Sequence, residues 1–187
     1  MGHRILLALT TLLLATAAGA LNPGDRALSL FGGGAFPGGS VGDNAKLGFV
    51  GGASVRHQFT ERFSGAADGE FLRFGDRTLA SGIESGADVL ALGLSLRYDL
   101  PSEKRGHAPF ISVGPALNRV SRRATAPGLD DHHVDWEPGV AVSAGTMVKL
   151  SDALSLGPVG RFRSLGRFGY ALEGGLELAF TLARPAK

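Results

Sequence analysis

Three stretches of the sequence carry residue types able to do chemistry. Gly38-Gly39-Ser40-Val41-Gly42 has the G-x-S-x-G spacing of a nucleophile elbow. That spacing presents a serine only on a sharp strand-to-helix turn, with histidine and acid partners elsewhere. Here it lies in a glycine-rich segment with no helix expected after it, so no catalytic residue is assigned. Asp130-Asp131-His132-His133 offers carboxylates and imidazoles, which are ordinary zinc ligands. Adjacent residues in an exposed loop read more simply as a solvated turn, and neither metal nor cofactor is assigned. Arg119, Arg122 and Arg123 gather positive charge that could meet phosphate groups, although charge at an exposed rim is expected in any case.

The elements that would position these groups follow from composition and patterning. The chain opens on Met1-Gly2-His3-Arg4, runs apolar from Ile5 to Leu14 and reaches Ala18-Gly19-Ala20. A basic start, a short apolar core and an A-x-A site form a secretory signal peptide. The apolar run is too short for a membrane-spanning helix of ~20 residues. Residues 1–20 are therefore expected to be cleaved, leaving 21–187 as one domain. Removal of Arg4 lowers the formal net charge from +2 to +1, which makes no case for nucleic acid. The chain has no cysteine, so neither disulfides nor thiolate chemistry can contribute. The 29 glycines fall in short runs within apolar segments, as strands with close backbone approaches require.

Four segments alternate strictly. In Asp88–Leu100, Leu90, Leu92, Leu94, Leu96 and Tyr98 share one face, and Gly93, Ser95, Arg97 and Asp99 the other. Val134–Leu150, Tyr170–Leu182 and Leu47–Phe59 repeat the pattern, and a period of two means a strand with one apolar face. Weaker runs over Arg26–Gly33, Phe63–Gly75, Ala108–Ser121 and Leu154–Leu165 bring the number to eight. Most exceed the ~5–6 residues of a soluble strand and suit the ~9–11 that a tilted membrane strand needs. Thr60–Arg62 and Ser151–Ala153 are tight turns and Pro101–His107 is modest. Gly34–Ala45, Asp76–Gly86 and Arg122–His133 are expected to be longer loops. Short turns at one end and longer loops at the other match an outer-membrane barrel with its turns in the periplasm.

Threading the chain up and down sets Phe59, Phe63, Tyr98, Phe110 and Phe180 near the turn end. Phe71, Phe74, Trp136, Phe162, Phe168 and Tyr170 fall near the loop end. Such belts are expected at the two membrane interfaces. The inward face would carry Arg56, Asp68, Glu70, Arg97, Asp99, Asp135, Glu137, Lys149, Arg161, Arg163, Glu173 and Glu177. An eight-stranded barrel is only wide enough for side chains to fill, so these charges must pair or meet trapped water. The expectation is a lumen plugged by ion pairs; a narrow ion or proton path is the alternative.

Residues 108–180 also resemble a known family. Pro109-Phe110-Ile111-Ser112-Val113-Gly114, Gly139–Thr146 and Leu150-Ser151-Asp152-Ala153-Leu154-Ser155-Leu156 are similar to the second half of small outer-membrane barrels with the OmpA-like eight-stranded domain. The first half matches only by pattern. The resemblance implies a monomer with roles from envelope integrity to adhesion, and no catalytic residues. Two features depart from it: Pro115 and Pro158 lie inside strands, where bulges are the usual accommodation, and seven residues follow the last aromatic, Phe180.

The chain thus reads as an all-β, eight-stranded up-and-down transmembrane barrel of a Gram-negative-type outer membrane. Its partners would be outer-membrane lipids, lipopolysaccharide, and the assembly machinery and periplasmic chaperones. Two alternatives stand beside it. One is a lipid A-modifying enzyme, for which His57 shows no evident hydroxyl and carboxylate partners. The other is a soluble periplasmic ligand-binding barrel with its leucines turned inward.

Overall fold

The computed structural model describes residues 23–79, 82–102, 106–126 and 129–182; the export segment expected over 1–20 lies outside them. Eight strands, β1 (Arg26–Gly38), β2 (Ala45–Gln58), β3 (Phe63–Thr78), β4 (Glu84–Asp99), β5 (His107–Ala126), β6 (Leu129–Lys149), β7 (Leu154–Ser164) and β8 (Tyr170–Leu182), follow in chain order. Each pairs antiparallel with the next, and β1 pairs with β8, so the sheet closes into an up-and-down barrel. A five-residue helix, α1 (Ser40–Asn44), joins β1 to β2.

The alternation sets the two faces as the sequence requires. Leu92, Leu94 and Leu96 of β4 are 49%, 63% and 51% exposed on the outside, whereas Arg97 is 6% exposed inside. Val55, Val113, Val142, Leu172 and Leu176 continue the outward apolar band around the barrel. An inverted barrel with its leucines inside is thereby excluded.

The first and last strand residues, Arg26 and Leu182, lie at the end that carries the short turns β2–β3, β4–β5 and β6–β7. In the first of these, Thr60 Oγ1 accepts from the backbone N–H of Phe63 at 3.0 Å and of Arg62 at 3.3 Å. A side chain thus supplies the acceptor that a tight turn needs.

At the opposite end the strands run further than alternation alone marked. β1 continues to Gly38, and the stretch expected as a loop over Arg122–His133 lies mostly within the β5–β6 hairpin, whose ladder runs out to Ala126 opposite Leu129. Polar residues on both faces erase the period-two signal there, but the backbone pairing persists.

Neither strand proline produces a bulge. The register keeps its phase past Pro115 and Pro158 on both sides, and only rungs drop out: Leu94–Ser95 opposite Gly114–Pro115, and Thr146–Met147 opposite Gly157–Pro158. Each proline is preceded by glycine, and a Cβ on Gly114 or Gly157 would overlap the carbonyl of Leu94 or Thr146. The neighbouring strand closes onto the bare glycine, which absorbs the lost hydrogen bond without an extra residue. The register shifts fall elsewhere, between Lys46 and Gly48 and between Arg73 and Arg77.

Candidate functional site

The residues with chemical potential converge on the barrel lumen, which is layered along its axis. Nearest the turn end, Arg56 and Gln58 of β2 and Arg97 and Asp99 of β4 face a cavity of about 330 Å³. Arg97 Nε donates to Asp99 Oδ1 at 2.8 Å and its Nη1 lies 3.9 Å from Glu177. The guanidinium also stacks on Phe110, 3.6 Å from the ring centroid. This corrects the expected aromatic belt. Phe110 is 3% exposed and faces inward, because it sits opposite inward-facing Asp99 in the register, and Ile111 takes the outward place. Height along a strand fixes the level of a side chain, whereas parity fixes its face.

Above this layer Ser29, Ser54, Ser95, Ser112 and Ser143 come from five strands to surround a cavity of about 40 Å³, shared with Arg56 and Asp68. Ser112 and Ser143 hydrogen-bond across β5 and β6 at 2.6 Å. Alternation alone does not mark this hydroxyl ring. Its trace in the sequence is a serine near the turn end of the inward face on each of those five strands.

Next comes the ion-paired core. Arg163 is fully buried; its Nε donates to Glu173 Oε1 at 2.9 Å and its Nη2 donates to Glu70 Oε2. Arg161 pairs with Glu70 and lies 3.7 Å from Glu173. Two arginines of β7 thus meet a carboxylate from β3 and one from β8. A buried charge is tolerated only when paired in this way.

Beyond it the lumen turns apolar. Leu72 and Phe74 of β3, Val89, Val120, Val41, Leu165 and Phe168 form one buried cluster. Phe74 and Phe168, expected in the outer belt, are therefore core residues, 1% and 6% exposed. The signal was available on β3, whose inward face reads Asp68, Glu70, Leu72, Phe74, changing from charged to apolar toward the loop end.

A second charge cluster lies at the loop-end mouth. Arg167 Nη2 donates to Asp135 Oδ1 at 2.5 Å and Arg167 Nε lies 2.8 Å from Glu137 Oε1, while Arg122 Nη2 reaches Asp135 Oδ2 at 3.3 Å. Both arginines also lie over Phe168. Asp135 and Glu137 belong to this mouth and not to the central network. Lys149 likewise leaves that network: it is exposed at the turn end and pairs with Asp152 at 2.7 Å.

Outside, Phe59, Phe63, Phe71, Trp136, Phe162 and Tyr170 are 41–54% exposed, and Tyr98 and Phe180 are half-buried. Phe63 packs on Tyr98 with centroids 4.9 Å apart, and Phe162 stacks on Tyr170 at 5.6 Å.

The G-x-S-x-G stretch and the Asp130–His133 run both lie at the loop end. A helix does follow the G-x-S-x-G stretch, contrary to expectation, but it is the five-residue α1. Ser40 Oγ donates to the Phe168 carbonyl at 2.9 Å, which pins α1 to the β7–β8 connection. His132 and His133 are successive strand residues, whose side chains leave opposite faces. His132 Nε2 shares a hydrogen bond with Ser121 Oγ at 2.8 Å, and His133 Nε2 lies 3.5 Å from Asp135. His57 packs edge-on to Phe59.

No family model and no curated protein matches the chain. Solved structures do resemble it. Neisserial surface protein A superposes with a TM-score of 0.60 at 16% identity, covering 83% of this chain and 94% of that one. The N-terminal barrel domain of Pseudomonas aeruginosa OprF gives 0.61 at 14% identity, covering 86% and 99%. Yersinia pestis Ail, the attachment invasion locus protein, gives 0.60 at 9% identity in a complex with sucrose octasulfate, covering 85% and 99%. At these identities the likeness establishes the fold, an outer-membrane-type β-barrel.

Proposed function

We propose that this chain is an integral outer-membrane barrel with a structural or surface role. Its termini and short turns face the periplasm, and its lumen is plugged by its own side chains. The observation that carries the reading is the pairing of an outward apolar band with an ion-paired interior. Leu94, 63% exposed, and Arg163, fully buried, have exchanged the places they would occupy in water. Only a hydrocarbon solvent outside makes that arrangement favourable, and only closed barrels and helices satisfy their backbones there.

The lumen supports a plug and not an open pore. Between the two mouths lie the Glu70–Arg161–Arg163–Glu173 core and the apolar layer of Leu72, Phe74, Val89 and Leu165. At about 3.3 Å per residue, β5 and β6, with 20 and 21 residues, are longer than a hydrocarbon core of ~30 Å requires even when tilted. Their hairpin stands clear of the membrane and is the natural surface for contact with other molecules. Arg119, exposed on the outward face opposite Trp136, is placed to meet lipopolysaccharide phosphates.

The Ser121–His132 contact gives the lipid A-modifying alternative its one foothold. No described carboxylate hydrogen-bonds to His132, so the orienting third member of a triad is missing, and the pair reads as a cross-strand hydrogen bond.

Membrane fractionation of the expressed chain tests the main reading. Recovery with outer membranes and heat-modifiable migration on gels are expected. Extraction into buffer without detergent would overturn it.

A further inference from the structure

Arg56 is 6% exposed, yet among the described residues it makes no hydrogen bond and no ion pair; its Nε and Nη1 are without partners. None of the described carboxylates around it, Glu61, Asp68, Asp99 and Glu177, comes within ion-pair distance of it. Asp99 holds Arg97 Nε at 2.8 Å, Glu177 also lies toward Arg97, at 3.9 Å, and Asp152 holds Lys149 at 2.7 Å. A buried guanidinium cannot shed its proton and is costly without a counter-ion. Beside it on the same inward face, Gln58 is 1% exposed; its Nε2 donates to the Thr60 carbonyl at 2.8 Å, whereas its Oε1 has no donor. Both side chains line the cavity of about 330 Å³ that opens at the turn end.

An unused cation and an unused acceptor side by side in one open cavity define a ligand chemistry. We infer that the turn-end vestibule is a binding site for a small oxyanion that still carries a proton, such as hydrogen phosphate. The charged oxygens accept from Arg56, where charge-assisted hydrogen bonds are the strong ones. The remaining O–H donates to Gln58 Oε1, which a fully deprotonated anion cannot do. The ion-paired core and apolar layer make the vestibule blind, so it retains a ligand and does not conduct it. The assignment depends on the cavity alone and holds whichever compartment the turn end faces.

Calorimetric titration of the full chain in detergent with sodium phosphate, and with sodium sulfate at matched ionic strength, tests it at neutral pH. Saturable phosphate binding, stronger than sulfate binding, is expected. Arg56→Gln should weaken phosphate binding about tenfold or more, Arg56→Lys should retain part of it, and Gln58→Leu should erase the preference over sulfate. Heat-modifiable migration verifies that each variant is folded. If Arg56→Gln does not fold, Arg56→Lys and Gln58→Leu decide the matter. Absence of saturable binding by the unaltered chain, equal response to both ions, or unchanged binding by Arg56→Gln would overturn the inference.

Discussion

Arg163 and Glu173 meet inside the barrel at 2.9 Å, from diagonal positions on the antiparallel β7–β8 ladder, and neither side chain touches solvent. Arg161 stands directly opposite Glu173 in the register, so the carboxylate is shared by two arginines two residues apart on one strand. Removing it would leave uncompensated buried charge. Glu173→Leu is therefore expected to destabilise the barrel by about 3–5 kcal/mol, measured as a lowered midpoint in urea. Arg163→Met added to Glu173→Leu should recover part of the loss. A double variant no more stable than the single one would show that the pair is not a unit.

The apolar band is tested at Leu94, the most exposed large apolar side chain among the described residues. Leu94→Arg should cost about 2–4 kcal/mol at mid-bilayer depth and reduce recovery of the folded, heat-modifiable form. In a water-soluble barrel the same change would be neutral or would improve solubility, so the sign of the effect separates the two.

The glycines at the strand prolines make a paired prediction. Gly114→Ala and Gly157→Ala would drive a methyl group into the Leu94 and Thr146 carbonyls, whereas Gly32 and Gly174 have open space where a Cβ would go. The first two substitutions should abolish the folded form on gels. Gly32→Ala and Gly174→Ala should leave it intact.

Phe110 is expected to behave as core and not as a membrane anchor. Phe110→Ala should cost about 3–5 kcal/mol, because it opens a cavity and uncovers the face that Arg97 stacks on. Phe59→Ala, half-exposed outside, should cost clearly less in the same urea titration.

Planar-bilayer recording checks the plug. Silence is expected of the unaltered protein, and sustained open-channel events would contradict it.

Much of this architecture was legible in the residue order, for an identifiable reason. On β4 and β8 one face is leucine-rich and the other polar, so parity alone separates inside from outside and counts the strands. The central charges Glu70, Arg161, Arg163 and Glu173 follow from the same parity, although their mutual pairing needed the closed register. What escaped had a weaker or mixed signal. Its level on β5 alone puts Phe110 in the belt, whereas Ile111 and Val113 already take the outward face. Phe74, Leu165 and Phe168 form an apolar layer where a uniformly polar lumen was expected, and two of the three sit at or beyond strand ends where alternation stops. The outer β5–β6 hairpin carries no period-two signal because its residues are polar on both faces, although their backbones remain paired. The unpaired Arg56 is not legible in the sequence, since being unpaired is a property of every neighbour at once.

The β1–β8 seam has a kinetic consequence. Its rungs run from Arg26 opposite Leu182 to Gly38 opposite Tyr170, so the last interface to close joins segments separated by most of the chain. Every other ladder is a hairpin between sequence neighbours and can form as its second strand arrives. Until β8 has been made, β1 carries an open row of unpaired backbone groups, the kind of edge that recruits foreign strands. Loop-closure entropy makes so distant a pairing slow. The interval between synthesis of Arg26 and docking of Leu182 is when this chain most needs to be kept from its own kind.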